Sequence, residues 1–186
     1  MFSSKQQLAK RTGPHGIGRF SFLQSLVTEF QDTDSEEAKT QVLANLANFA
    51  YDPINFDYLR QLNVIDLFLD HLKGSSDEMQ QFAIAGICNL CLQKENKDYI
   101  LENEGVTSIA GCLSSSNEET VVSSITALMY LITPQSKLDI TSPAITDAMV
   151  QLSSSRNPRL GNLATIFLED FCKKRVVDEL RLKDGK

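Results

Sequence analysis

Apolar residues in this chain recur at intervals of three and four, and nowhere do β-branched residues alternate with polar ones. That pattern predicts helices throughout, roughly ten of them, and no strands. The clearest runs are QVLANLANFAYDP, starting at Gln41, and FAIAGICNLCLQKEN, starting at Phe82. At about 100° per residue, the first run puts Val42, Leu43, Leu46, Ala47, Phe49 and Ala50 on one side of a helix. Asn45 and Asn48 fall on the other side, so the amides belong to a second face and do not interrupt the core.

The pattern repeats along the chain. TDSE at Thr33–Glu36, SSDE at Ser75–Glu78 and SNEE at Ser116–Glu119 fit the capping box, in which hydroxyl and carboxylate satisfy each other's free amides. Their first residues stand 42 and 41 positions apart. Behind each start comes a long amphipathic helix, a polar break and two shorter helices, such as VIDLFLDHL (Val64–Leu72) and GVTSIAGCL (Gly105–Leu113). In the first break, Pro53 stops one helix and suits the first turn of the next. A period near 40 with several helices per unit predicts an α-solenoid, whose units bury their apolar faces only against neighbours. A fourth, degenerate unit lays LEDFC (Leu168–Cys172) over LANFA (Leu46–Ala50). Residues 1–18, with Gly13, Pro14, Gly16 and Gly18, are expected to form a mobile arm, residues 19–175 the solenoid, and residues 176–186 a helix end or tail.

Taking Asn45-Leu46 and Asn89-Leu90 as equivalent sets a first step of 44 residues, and the register is carried forward by 41 and then 37. The resulting row holds Gln41, Asn45 and Asn48, then Ala85, Asn89 and Leu92, then Thr126, Tyr130 and Thr133, then Phe167 and Asp170. It mixes amides, a phenol and apolar groups with few charges, unlike a face that serves only solubility. The residues expected to touch a partner are Gln41, Asn45, Asn48, Asn89, Leu92, Thr126, Tyr130 and Phe167. Asn both donates to and accepts from a peptide backbone, so a ladder of amides along a concave wall suits an extended partner segment. The same amides would also serve by bonding to neighbouring loops and aligning the repeats, since a buried amide needs a partner either way.

The 186 residues carry a net charge of −6 and a sequence pI near 4.9, a balance that repels phosphate backbones and argues against extensive nucleic-acid binding. The longest apolar stretch, Phe82–Cys88, is far short of a membrane span, so a soluble intracellular protein with reduced thiols at Cys88, Cys91, Cys112 and Cys172 is expected. Cys88 and Cys91 have the spacing of half a zinc or redox site. The row register sets them on Ala44 and Ala47, and Cys172 on Ala50, where small residues let helices pack closely. No metal, cofactor or catalytic residue is therefore expected. His15 lies in the arm and His71 ends a helix, and GPHGIG lacks the preceding strand of a phosphate loop. Glu29, Asp32, Asp34, Glu36 and Glu37 read as a solvated helix start or a contact for a basic partner. Lys173, Lys174, Arg175, Arg181 and Lys183 read as a solvated terminal helix or a segment near RNA in an assembly.

NVIDLFLDHL with ANLANFAYD before it, and EGVTSIAGCL with CNLC before it, resemble armadillo repeats, three-helix units with a Gly-hydrophobic opening to the second helix and an Asn-Leu pair in the third. Asn63 stands in place of the usual Gly, and Tyr130 in place of the ladder Asn. The resemblance implies an all-α, right-handed α-solenoid of three to four armadillo-type repeats. The strings VTEFQ, QVLANLANFAYDP, CLSSSNEETVVSSITALM and IFLEDFC, between about Gly18 and Cys172, are similar to one branch of that family. That likeness implies a non-enzymatic nuclear adaptor in pre-mRNA splicing. Its implied partner is an RNA-recognition-motif protein, RNA-binding motif protein forty-eight, in the U12-dependent (minor) spliceosome, at the capped end of U6atac RNA. The alternatives are a general peptide-binding adaptor unrelated to splicing and direct RNA binding. The latter prefers a positive groove with stacking aromatics, of which Tyr130 and Phe167 offer little. Neither a membrane nor a small-molecule substrate is implied.

Overall fold

A computed structural model describes residues 2–13 and 16–172, and it contains helices and turns with no strand among the described residues. The helices are α1 (Lys5–Thr12), α2 (Arg19–Asp32), α3 (Glu36–Phe49), α4 (Phe56–Gln61), α5 (Val64–Asp70), α6 (Asp77–Leu90), α7 (Lys94–Glu102), α8 (Gly105–Gly111), α9 (Glu118–Leu131), α10 (Lys137–Ile140), α11 (Pro143–Ser153) and α12 (Pro158–Phe171). His15, Lys173, Lys174, Arg175, Arg181, Lys183 and the expected tail at 176–186 lie outside the described residues.

Four helices of 14 residues, α3, α6, α9 and α12, set the frame. Each packs on the next, and each is backed by the helix that precedes it: α2, α5, α8 and α11. This nearest-neighbour stacking is the arrangement of an α-solenoid. Leu43, Leu46, Ile84, Ile87, Ile125 and Leu128 lie at the centre of one continuous apolar core. At Gly86 the approach of α5 to α6 leaves no room for a side chain, because a Cβ there would stand 2.3 Å from the Phe68 ring.

The helix starts differ in detail from the expected capping boxes. The caps are Ser35, Ser76 and Asn117, one or two residues later than Thr33, Ser75 and Ser116, and the fourth is Asn157. Ser35 accepts from the Ala38 amide, Ser76 from Met79, and Asn117 from Glu119 and Thr120. This shift puts Glu36, Glu37, Asp77, Glu78, Glu118 and Glu119 in the first turn, where they act on the helix dipole and do not reach back to the cap amide. Measured between caps, the repeat period is 41, 41 and 40 residues.

Two further features depart from the sequence reading. The stretch expected to be a mobile arm contains α1, closed by a reciprocal Ser4–Gln7 capping box. The 41-residue period also aligns Asn63 with Glu104, not with Gly105, and both sit before a helix in the left-handed region, at φ 54° and 56°. Asn tolerates that region, whereas a Glu there costs about 1–2 kcal/mol. Glu104→Gly relieves this strain and gives back about 0.5–1 kcal/mol through greater unfolded-state freedom. The variant is therefore expected to be more stable by roughly 0.5–1 kcal/mol in urea unfolding. An unchanged or lower midpoint would show that the position carries no strain.

Candidate functional site

The cap-to-cap register reassigns the expected row. Asn48, Asn89, Tyr130 and Asp170 are equivalent positions, whereas Asn45 aligns with Gly86, Ala127 and Phe167. The last three of this second set face inward. Gly86 abuts Phe68, Ala127 is buried, and Phe167 is 0% exposed, packed edge-to-face on Phe171 at 5.7 Å. Phe167 is thus a core residue, and its expected place on the partner face is corrected. The cysteines shift likewise: Cys88 aligns with Ala47 and Cys91 with Ala50, while Cys172 keeps its equivalence to Ala50.

The other expected residues lie on or beside one face of the α3–α6–α9–α12 layer. Gln41 and Asn48 are exposed, and Gln41 Nε2 donates to the half-buried Asn45 Oδ1 at 3.4 Å. Asn89 is half-buried, and its Nδ2 donates to the Ala47 carbonyl of the preceding repeat at 3.3 Å. One amide of the ladder therefore aligns repeats, and its Oδ1 remains as an acceptor. Thr126 is half-buried and returns its hydroxyl to the Val122 carbonyl at 2.8 Å.

Large apolar side chains stand exposed on this face: Tyr51 at 62%, Leu92 at 56%, Tyr130 at 46% and Ile166 at 43%. Tyr51 and Leu92 are equivalent positions one period apart. Tyr130 occupies the ladder row, and Ile166 follows Thr126 in the row one turn earlier. At the cap end, polar bonds lock the repeats together. Asn117 Nδ2 donates to Gln81 Oε1 at 2.8 Å, Asn157 Nδ2 to Glu118 Oε2 at 2.7 Å, and Arg159 pairs with Glu119 at 2.7 Å. The acidic residues Glu29, Asp32, Asp34, Glu36 and Glu37 are all exposed, as a solvated helix start requires, and Glu36 pairs with Lys39.

A set of residues absent from the sequence reading fixes the turn after each of the first three long helices. Asn55 Nδ2 donates to the Phe49 carbonyl, Asn96 Nδ2 to Leu90 and Ser136 Oγ to Leu131, at 2.8, 3.1 and 2.8 Å. All three donors are buried. The recurrence of Asn at 55 and 96, one period apart, was the available signal.

Burial pushes the thiols up, Cys88 and Cys112 to about 11 and Cys91 to about 12, so they stay protonated near neutrality and pack as small apolar groups. Burial likewise raises Cys172. His71 caps α5, its Nδ1 lying 2.7 Å from the Leu67 carbonyl, so that nitrogen carries the proton. At Asp52, burial pushes the carboxyl up, but hydrogen bonds from Ser3 and Ile54 and the charge of Arg19 outweigh it and hold the group below its ordinary value. No helix among the described residues is long and apolar enough to cross a membrane.

No family model matches the chain. Among solved structures it is similar to computationally designed armadillo repeat proteins for modular peptide recognition, with a TM-score of 0.73 and 22% identity over 80% of this chain and 64% of that one. A designed armadillo repeat protein in complex with the peptide (KR)4 gives 0.72 and 21%, over 81% and 64%. The chain thus spans just under two thirds of these designs, and at such identities the likeness is one of fold. Mouse armadillo repeat-containing protein 7 is 55% identical over 168 residues, which is 89% of this chain and 84% of the relative. With sequence and fold in agreement over nearly the whole length, the chain belongs to the family of armadillo repeat-containing protein 7.

Proposed function

We propose that the chain is a non-enzymatic protein-binding scaffold whose α3–α6–α9–α12 face holds a segment of a partner protein. The observation that carries this reading is the exposure of Tyr51, Leu92, Tyr130 and Ile166 on adjoining rows of one face, interleaved with Asn48 and Asn89. Exposed apolar groups rimmed by polar ones mark docking surfaces, and aromatic anchors dominate binding energy. The family resemblance supplies the partner: an RNA-recognition-motif protein, RNA-binding motif protein forty-eight, in the U12-dependent spliceosome, with RNA contacted through that partner. The net charge of −6 agrees with a grip on the RNA-binding protein and not on RNA itself. Nuclear residence follows from the same reading.

The test is affinity purification from nuclear extract with the wild type and with a Leu92→Ser, Tyr130→Ala variant shown by circular dichroism to be folded. Loss of two apolar anchors at about 1–2 kcal/mol each should reduce recovery of the RNA-recognition-motif protein by tens-fold or more. Equal recovery by both chains would move the site off this face, and recovery of no splicing component would remove the spliceosomal assignment.

A further inference from the structure

The first position on that face is occupied by the chain itself. The Phe2 ring lies against Tyr51, with centroids 5.6 Å apart, and the Ser3 amide donates to Asp52 Oδ2 at 2.9 Å. Beyond Ser3 the chain enters α1, which buries none of its residues. An open cleft of about 440 Å³, lined by Leu8, Ala9, Thr12, Arg19, Ile54 and Tyr58 among others, remains beneath it. The segment is therefore held at its tip and only loosely along its length.

The repeat register shows that this tip takes a bond used differently one period later. There Arg60 donates to Gln93 Oε1 at 3.0 Å and to Asn96 Oδ1 at 2.9 Å, joining two repeats. The equivalent three residues are Arg19, Asp52 and Asn55. Arg19 instead lies 4.8 Å from the centroid of the Phe49 ring, Asp52 is bonded by Ser3, and the buried Asn55 Oδ1 has no partner. The guanidinium bridge that joins the next two repeats is therefore not made here, and Asp52 keeps an acceptor for the Ser3 amide.

We propose that Tyr51 and Asp52 form a seat for a partner-protein segment presenting an aromatic or bulky apolar side chain followed by a free backbone N–H, and that Phe2 and Ser3 fill this seat as an intramolecular competitor. This rests on the reading of the α3–α6–α9–α12 face as the docking surface. A tethered occupant acts at an effective concentration near the millimolar range, so a free segment must outcompete it.

The probe is a synthetic peptide with the sequence of residues 2–13, titrated by NMR into three full-length chains: the wild type, a Phe2→Ala, Ser3→Pro chain whose seat is open, and that open chain with Tyr51→Ala and Asp52→Ala added. None of these changes touches the buried core, and circular dichroism checks that each chain is folded. The peptide is expected to bind the open chain at least about tenfold more tightly than the wild type, and to lose that binding in the third chain. A peptide carrying Phe2→Ala is expected to bind the open chain at least about tenfold more weakly. No binding to the open chain, equal binding to it and the wild type, or binding that survives loss of Tyr51 and Asp52 would each overturn the proposal. Because the probe involves no spliceosomal protein and no change at Leu92 or Tyr130, its result stands apart from the purification test.

Discussion

Replacing Phe167 with Ala is expected to lower unfolding stability by about 3–5 kcal/mol, the cost of emptying a filled aromatic site in a core. The ring is fully buried on α12, where the final repeat must be held to α9 and α11 with no further repeat described beyond it. Urea unfolding reads the change as a lower midpoint. Tyr130→Ala, one repeat earlier and on the exposed row, is expected to change stability by less than about 1 kcal/mol. The pair separates packing from contact: a partner lost by Tyr130→Ala at unchanged stability marks a touched residue, while one lost by Phe167→Ala is lost with the fold. If Phe167→Ala proves as stable as the wild type, the ring is not in the core and the corrected register is wrong.

Asn96→Ala is expected to cost about 2–3 kcal/mol, because it leaves the buried Leu90 carbonyl without its donor and takes one of its bonds from the half-buried Arg60 guanidinium. Its Nδ2 meets the Leu90 carbonyl and its Oδ1 receives the Arg60 guanidinium, a charge-assisted bond between adjacent repeats. Asn55→Ala removes the same bond to the end of a long helix but no second one, since Asn55 Oδ1 is unpartnered. It should therefore cost about 1 kcal/mol less. Arg60→Ala should then cost less in the Asn96→Ala background than in the wild type, by the share that the Arg60–Asn96 bond carries, its bonds to Gln93 and Asp57 being lost in both. Equal losses at Asn55 and Asn96 would mean that the Arg60–Asn96 bond contributes nothing to holding the repeats.

The helical class and the period were legible because apolar spacing and clustered cap residues are local signals repeated at a fixed distance. The register between repeats was not, and the cause is specific. In the first repeat Asn45 and Asn48 stand one turn apart, and the Asn45-Leu46 pair imitates Asn89-Leu90. Matching these pairs gives a first step of 44 residues where the caps give 41, and the compensating last step of 37, where the caps give 40, sets Phe167 instead of Asp170 in the row of Asn89 and Tyr130. Only packing distinguishes the two alignments, since the position of Asn45 is filled elsewhere by Gly86 against a neighbouring ring and by buried Ala127. The exposed face itself was partly legible: Asn48, Asn89, Leu92 and Tyr130 lie on it in either register. Helix α1 went unread because its Ser4–Gln7 box precedes a run of glycines that dominates the local pattern.

In the first two repeats an Asn reaches back six residues to the last carbonyls of the long helix, and in the third a Ser reaches back five. The period shortens from 41 to 40 over that same interval. A shorter side chain thus accompanies a shorter backbone, and the end of the long helix keeps its donor. Loop length and donor identity change together at this corner, so a chain with one residue deleted there is expected to keep more of its stability when the Asn is exchanged for Ser than when it is kept.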